Sequence, residues 1–190
     1  MDTDAALVEL YGPQPEHFIA ARDELAKAVG EGDGHAAATI RMLRKTTIAA
    51  WLANQLVRVD PDGVHALTEL GEQLRETYLS TDSARRRELT RQRHDLVAHL
   101  VQVARSRAAS DRRLTGQTVE RLTETLDAAL VDPAAAQLLR SGQLTNALRH
   151  VGFGVVDENN NPAPLAPARP RVVHRPQSRR KTTTARYHRG

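Results

Sequence analysis

The sequence of 190 residues contains no cysteine. This absence excludes a disulfide framework, thiolate zinc sites, iron-sulfur clusters and a cysteine nucleophile. Aromatic residues are few, so the core must be built from Leu, Val, Ile and Ala, a composition that suits packed helices. No apolar run approaches the roughly 18 residues that span a bilayer, and the N-terminus MDTDAALVEL is acidic where a secretion signal is basic. These absences predict a soluble cytoplasmic chain without a membrane partner.

Carboxylates are also absent from residues 169–190, which we call the arm. The arm carries eight cations: Arg169, Arg171, Arg175, Arg179, Arg180, Lys181, Arg186 and Arg189. Subtracting these eight from the total of 27 Lys+Arg leaves 19, against 23 Asp+Glu, so residues 1–168 are net acidic. A block of like charge that contains prolines repels itself and cannot bury an apolar face. The sequence therefore predicts an acidic folded body joined to a disordered basic arm.

Apolar side chains recur at helical spacing over residues 1–156. Pro15, Thr115 and Asp132-Pro133 are helix-start signals, because an oxygen-bearing cap and a proline in the first turn both favour a helix. The predicted helices run over residues 15–29, 35–57, 64–79, 84–108, 115–130, from 132 onward, and 141–151. No stretch alternates polar and apolar residues as a strand would. We therefore predict an all-α fold, a compact bundle of about seven helices.

The composition changes at Asp157. Three asparagines at 159–161 are followed by five of the nine prolines of the chain. Such a stretch favours an extended, partly polyproline-like linker. The predicted division is a helical domain over residues 1–156 and a proline-rich linker with the basic arm over residues 157–190.

No constellation of residues predicts a chemical reaction. His94 and His99 are five positions apart and diverge on a helix, and no histidine-carboxylate pair has the spacing of a zinc-protease helix. No serine lies in a GxSxG elbow, and the glycine cluster GEGDG at 30–34 lacks the lysine and hydroxyl residue of a phosphate-binding loop. The sequence therefore predicts no catalytic site, no metal site and no cofactor, and we do not expect an enzyme.

Two further groups of cations lie in the predicted body. The first group is Arg41, Arg44 and Lys45. Its i, i+3, i+4 spacing would gather three side chains on one side of a helix. The second group is Arg85, Arg86, Arg87 and Arg91. A solvated helix face and a phosphate-contacting patch both explain such groups, and the two groups would reinforce each other if their helices packed side by side.

Several strings in the body carry a family resemblance. The longest is LRKTTIAAWLANQL at Leu43 to Leu56, accompanied by LY, FIAARDELAK, RELTRQR and the GFG at Gly152 to Gly154. They resemble a family of uncharacterised all-helical proteins from G+C-rich actinobacterial genomes, with the pattern LRKxTxAAWxxNxL. The resemblance covers most of the body and excludes the arm. It implies an actinobacterial cytoplasmic protein and no particular activity.

The same resemblance bears on one helix boundary. In that family proline often stands at the position of Thr46, where it would begin a new helix. The segment over residues 35–57 is therefore either one helix or two helices broken near Lys45.

The charge pattern favours a nucleic-acid-associated protein, whose partner is RNA or DNA, free or within the ribosome or the nucleoid. In this hypothesis the arm contacts phosphates without sequence preference, and Tyr187, between Arg186 and His188, stacks on unpaired bases. No helix-turn-helix pattern supports base reading. The alternative is an adaptor or regulatory module whose helical body docks a protein partner. For that hypothesis the single tryptophan, Trp51, is the candidate hot spot, provided that it is exposed.

Overall fold

The structure is a computed structural model, and it describes residues 8–77, 82–108, 114–152 and 154–163. Within these residues the chain forms seven α-helices and one β-hairpin. The helices are α1 (Phe18–Gly30), α2 (Gly34–Arg41), α3 (Ile48–Val59), α4 (Pro61–Thr77), α5 (Ser83–Ala108), α6 (Gly116–Val131) and α7 (Pro133–Ser141). The hairpin consists of β1 (Leu148–Val151) and β2 (Gly154–Asp157), and a short 3-10 turn (Pro15–His17) precedes α1. The predicted all-α class is confirmed.

Two pairs of consecutive helices are each joined by a single residue. Asp60 separates α3 from α4, and Asp132 separates α6 from α7. Each carboxylate accepts a backbone N–H of the helix that follows, at 2.9 Å for Asp60 and 2.7 Å for Asp132, and each is followed by proline, which fits the first turn. The predicted caps at Thr115 and Asp132 are confirmed. The predicted turn at 60–63 is instead the first turn of α4, which begins at Pro61 rather than Val64.

The central element of the bundle is α3. Every residue from Ala49 to Leu56 is buried, and the helix packs against α4, α5, α6 and α7. Within the described residues, leucine supplies most of the largest fully buried side chains: Leu52, Leu56, Leu67, Leu89, Leu100, Leu122, Leu126, Leu130 and Leu139. The core is thus aliphatic, as the shortage of aromatic residues predicts.

The helices α4 and α6 come unusually close at Gly71. A Cβ atom on Gly71 would lie 2.5 Å from the carbonyl oxygen of Leu130 and 3.0 Å from its Cα, so the crossing has room only for glycine. One turn further along α4, the Nη1 of Arg75 donates to the same carbonyl oxygen at 2.8 Å. The crossing therefore brings the C-terminal ends of α4 and α6 together.

The N-terminal segment is attached to α3 through two carbonyl groups, that of Val8, which accepts from Arg58 Nη2, and that of Gly12. The oxygen of Gly12 accepts hydrogen bonds from Trp51 Nε1 at 3.2 Å and from Gln55 Nε2 at 2.9 Å. The rings of Tyr11 and Phe18 lie 5.3 Å apart between centroids and belong to a second, smaller core. Burial raises the pKa of Tyr11 to about 12.

Residues 141–151 do not form the predicted helix. The helix α7 ends at Ser141, and Gly142 follows in the left-handed conformation with a φ of 63°, which is the usual place of glycine after a helix. Leu148–Val151 then pairs antiparallel with Gly154–Asp157. The prediction of a last helix is therefore wrong, and so is the expectation that the body contains no strand.

The physical reason lies in hydrogen bonds from other parts of the chain. The side chain of Asn54 binds both backbone groups of Leu144, each at 2.9 Å. Thr125 Oγ1 accepts the N–H of Leu148 at 2.9 Å. These tertiary bonds satisfy the backbone groups that a helix would have paired internally.

The folded body also extends further than predicted. The Oδ1 atom of Asp157 accepts the N–H groups of two of the asparagines at 159–161, both at 2.9 Å, so that this segment forms a turn. Pro162 then pairs with Val156, and the N–H of Ala163 donates to Val155 O at 2.9 Å. The segment 157–163 is therefore not an extended linker. Residues 164–190, with the eight cations of the arm and Tyr187, lie outside the described residues.

Candidate nucleic-acid interface

Arg41, Arg44 and Lys45, which we call the loop group, are exposed. They do not share the predicted helix face, because α2 ends at Arg41 while Arg44 and Lys45 lie in the link to α3. Of the two arrangements that the sequence leaves open, the structure has two helices with a break. The loop group is therefore a property of a link and not of a helix.

Hydrogen bonds to the segment before β1 hold this link in place. Thr46 Oγ1 donates to Leu144 O at 2.9 Å, and the N–H of Thr47 donates to Thr145 O at 2.9 Å. Thr47 then caps α3, since its side chain accepts the N–H of Ala50. The link is thus anchored to the chain that leads into the hairpin.

Electrostatics also connect Arg44 with Asp157, the last residue of β2. Desolvation raises the pKa of Asp157, but hydrogen bonds from Asn161 and Asn159 and the positive charge of Arg44 lower it more, so that this pKa lies below its usual range. The carboxylate is therefore ionised at neutral pH, where it organises the turn 157–161. The described chain continues for two residues after this turn and ends at Ala163.

Arg149 is a further cation in this region that the sequence patterns did not single out. It is exposed on β1, opposite Val156 in the register. Its Nη2 donates to Asn160 Oδ1 at 2.6 Å. Strand alternation does not mark it, because Arg149, His150 and Val151 are all exposed after buried Leu148.

The predicted cations Arg85, Arg86, Arg87 and Arg91, which we call the α5 group, occupy the N-terminal part of α5 and are exposed. Arg85, Arg87 and Arg91 contact neighbouring residues at the surface of the body. Arg85 Nη2 donates to Gln73 Oε1 at 2.8 Å and Arg87 Nε to Ser83 O at 3.3 Å, while Arg91 forms an ion pair with Glu88. Surface contacts of this kind contribute little to stability.

The position of the α5 group is electrostatically unfavourable for its own helix. The N-terminus of a helix carries a partial positive charge, so cations there oppose the helix dipole. The first turn of α5 contains no acidic residue. Asp82, whose Oδ1 accepts the N–H of Arg85 at 2.9 Å, precedes the helix and caps it. Arg85 and Arg86, which lie in the first turn, therefore oppose the dipole of the helix that carries them.

The loop group and the α5 group do not form one surface. The helix α5 meets α6 at Asp127, whose Oδ1 accepts from Arg93 Nε and Nη2 at 3.1 and 2.8 Å, whereas the hairpin meets α6 at Thr125. Successive residues of a helix are turned by about 100°, so Thr125 and Asp127 face nearly opposite directions. The side-by-side packing that would combine the two groups is absent from the described structure.

Trp51, the candidate hot spot for a protein partner, is buried, with 7% of its surface exposed. Its indole N–H is bound to Gly12, and its neighbours Ala50 and Leu52 are fully buried. A binding hot spot must be accessible to its partner. Trp51 therefore stabilises the fold, and the adaptor hypothesis gains no support from it.

Within the described ranges, no three His, Asp or Glu side chains are grouped so that they could hold a metal ion. The histidine-carboxylate contacts there are isolated surface pairs, His99 with Asp60 at 3.1 Å and His65 with Glu69 at 3.2 Å. None of the helices in this part of the chain has the length and apolar character needed to cross a membrane.

Comparisons of this chain with protein-family models, with curated proteins and with solved structures find no match. A functional proposal must therefore be argued from the charges and geometry of the chain itself.

Proposed function

We propose that this chain is a cytoplasmic nucleic-acid-binding protein rather than an enzyme, and that the arm and the loop group together contact the phosphates of RNA or DNA. The observation that carries the proposal is the position of Ala163. This residue, six positions before the arm, is paired with Val155 of β2. The same strand lies opposite Arg149 and ends at Asp157, which interacts electrostatically with Arg44. We therefore expect a polyanion bound by the arm to come within reach of these cations of the body.

The charge of the rest of the body supports an oriented complex. Residues 1–168 are net acidic, so most of the body surface repels phosphate. Cations of the arm supply affinity without sequence preference, whereas cations fixed on a folded surface set the orientation of the nucleic acid. We therefore assign affinity to the arm and orientation to the loop group.

The α5 group supports a second phosphate contact on the other side of α6. Arg85 lies in the first turn, where a helix disfavours cations, and Arg85, Arg87 and Arg91 make only surface contacts with the protein. This excess of positive charge would attract an external anion. A long nucleic acid, or the surface of a ribonucleoprotein, could reach both groups.

The proposal is tested by the salt dependence of binding. The full chain and a chain ending at Pro167 are titrated against single-stranded RNA and DNA at several salt concentrations. If about five arm cations meet phosphates, the arm contributes roughly −3.5 to the slope of the logarithm of the binding constant against the logarithm of salt for single strands, and the chain ending at Pro167 loses this contribution. Equal and salt-insensitive binding by the two chains would contradict the proposal.

Body variants then test the roles of the two cationic groups. Replacing Arg44, Lys45 and Arg149 by Gln should reduce the magnitude of the slope by about 2, since each lost contact contributes about 0.7. The matched control replaces Arg105 and Arg107, exposed at the far end of α5, and should leave the slope nearly unchanged. If both variants lower the slope equally, only net charge matters and the loop group has no special role.

A further inference from the structure

An open groove lies between α4 and α5, which pack against each other. Its volume is about 480 Å³. Leu70 is buried and Leu96 is half-buried, so apolar carbon forms the floor of the groove. Its walls carry two exposed carboxylates, Glu69 from α4 and Asp95 from α5. The described residues that line it are Ala66, Glu69, Leu70, Gln73, Gln92, Asp95 and Leu96, with no lysine or arginine among them.

Carboxylates continue beyond the groove along both helices. On α4, Asp62, Glu69 and Glu76 are exposed and recur every seven positions, so they lie along one face of the helix. On α5, Glu88 lies one turn before Gln92, whose Nε2 donates to it at 3.0 Å. The groove is therefore part of an acidic strip on a body that is net acidic as a whole.

The cations near the groove do not neutralise the carboxylates that line it. The partner of Glu69 is His65, at 3.2 Å, and its ring is charged only when it is protonated. Arg85 donates to the amide oxygen of Gln73 at 2.8 Å rather than to a carboxylate. Among the described residues, no lysine or arginine forms an ion pair with Glu69 or Asp95. The contact of Arg85 also demonstrates that a guanidinium group fits against the polar wall of this groove.

We propose that this groove docks the arm of the same chain, residues 169–190. Arginine suits the groove because its guanidinium group donates paired hydrogen bonds to a carboxylate, while its methylene stem covers apolar surface such as the floor. The arm carries eight cations and no carboxylate, which complements the charge of the groove. One exposed ion pair contributes little, but the pairs of a tethered segment act at an effective concentration on the order of millimolar.

The arm is long enough to reach the groove. Arg179, near its middle, lies 16 residues beyond Ala163, the last described residue. An extended chain of that length spans up to about 55 Å, at ~3.4 Å per residue. A globular body of about 155 residues measures roughly 40 Å across. Every face of the body is therefore within reach, and charge rather than distance selects the face.

Docking in the groove uses the same cations that a polyanion would use. An arm held between α4 and α5 cannot contact phosphates at the same time, so the groove and a nucleic acid would compete for it. The inference itself rests on the groove and on the charge of the arm, and its test contains no nucleic acid. Its failure is therefore distinguishable from a failure of the proposed function.

The test follows the arm by means of a spin label in the full chain. Because the chain has no cysteine, Ser178→Cys places a single nitroxide label in the arm, and paramagnetic broadening of backbone amide signals reports which residues the label approaches. We expect selective broadening at Glu69, Gln73 and Asp95 at low salt. It should be lost at about 1 M salt, where the screening length falls to about 3 Å. Broadening that is absent, or spread evenly over the body, would overturn the proposal.

A charge variant and a matched control locate the docking surface. Glu69→Gln combined with Asp95→Asn removes both carboxylates of the groove and should abolish the selective broadening. The control, Glu24→Gln combined with Glu31→Gln, makes the same charge change at exposed positions in α1 and just after it. It should leave the broadening unchanged, since α1 packs against α2. Equal loss in both variants would mean that only net charge attracts the arm, and the groove would be rejected.

A mixed sample distinguishes docking within one chain from docking between two copies. Chains that carry the spin label but no isotope label are mixed with isotope-labelled chains that carry no spin label. Any broadening of the observed signals then arises from contacts between molecules. We expect none at the groove. Broadening of Glu69 and Asp95 in the mixed sample would place the arm of a second copy there and overturn docking within one chain.

Discussion

The helices α3 and α5 represent two opposite uses of a helix in this protein. In α3, every residue from Ala49 to Leu56 is buried, whereas α5 is more than twice as long and buries only Leu89, Val97, Leu100, Ala104 and Ala108. Arg58 is the only cation of α3, and its burial lowers its pKa. By contrast, α5 carries seven arginines that are exposed or half-buried. One helix holds the fold together, and the other presents charge.

Their polar side chains differ in the same way. In α3, Asn54 binds Leu144 and Gln55 binds Gly12, both far away in the sequence. In α5, Gln92 and Arg91 both bind Glu88 of the same helix. Arg93 and His99 of α5 also reach other elements, at Asp127 and Asp60, but through partly exposed side chains. The polar residues of α3 that specify tertiary structure are buried, whereas those of α5 lie at the surface, where water could replace their contacts.

The largest expected effect is that of Leu52→Ala in α3. Leu52 is fully buried at the centre of the bundle, so its truncation removes apolar contacts and leaves a cavity. We expect a loss of about 2 to 5 kcal/mol in the free energy of unfolding, measured by urea denaturation. The half-buried Leu96 of α5 is the matched control, and Leu96→Ala should cost clearly less. Equal losses would contradict the contrast between the two helices.

The second largest effect is expected for Asn54→Leu. This change keeps the volume but leaves the buried N–H of Leu144 without its partner, while Thr46 still binds the carbonyl. An unpaired buried donor costs about 1 to 3 kcal/mol. The control is Gln92→Leu, which removes an exposed contact in α5 and should change stability by less than about 0.5 kcal/mol. Thermal and urea unfolding of both variants measure the difference.

Stability measured as a function of pH tests the burial of Tyr11 in the N-terminal segment, which is attached to α3. The pKa of Tyr11 rises from 10.0 to about 12 on folding because the ring is buried. The unfolded chain therefore loses this proton first, and the stability from neutral Tyr11 is present below pH 10 and lost between pH 10 and 12. The loss should be roughly 2 kcal/mol, at about 1.4 kcal/mol per pKa unit. Tyr11→Phe should remove this part of the pH dependence; an unchanged profile would show that Tyr11 does not cause it.

The smallest effect on stability is expected for the α5 group. Replacing Arg85, Arg87 and Arg91 by Gln should change the free energy of unfolding by less than about 0.5 kcal/mol, or raise it slightly, since cations near a helix N-terminus oppose the dipole. The same variant should weaken nucleic-acid binding at low salt. Strong destabilisation would mean that these arginines hold the fold together, and the distinction between α3 and α5 would fail.

Helix starts could be predicted where their cause lies within a few residues. Thr115 and Asp132 bind N–H groups two or three positions ahead, so the sequence alone contains the signal. Asp60-Pro61 has the same chemistry as Asp132-Pro133. The glycine of Asp62-Gly63 favoured a turn there, although the N–H of Gly63 binds Asp60 in the first turn of α4.

The hairpin could not be predicted from the spacing of apolar residues. Leu144, Leu148 and Val151 fit a helical period. The side chains that hydrogen-bond to Leu144 and Leu148, those of Asn54 and Thr125, are distant in the sequence. A local signal was nevertheless present. Two glycines, at 152 and 154, lie between β-branched residues, a pattern typical of a tight hairpin.

For the candidate site, the sequence shows which residues carry charge but not which of them meet. Arg44 was recognisable as a cation, but its proximity to Asp157 depends on the break after α2 and on the hairpin. Glu69 and Asp95 were likewise recognisable as carboxylates, yet they line one groove only because α4 packs against α5. Tertiary contacts therefore decide where these charges act.

The bond between Asn54 and Leu144 has a kinetic consequence. It joins positions 90 residues apart, so closing it costs chain entropy that contacts across the one-residue junctions at Asp60 and Asp132 do not. We expect it to form after the rate-limiting step of folding, so Asn54→Leu should speed unfolding and leave the folding rate nearly unchanged in stopped-flow experiments. The hairpin would then be the last part to dock during folding and the first to be released.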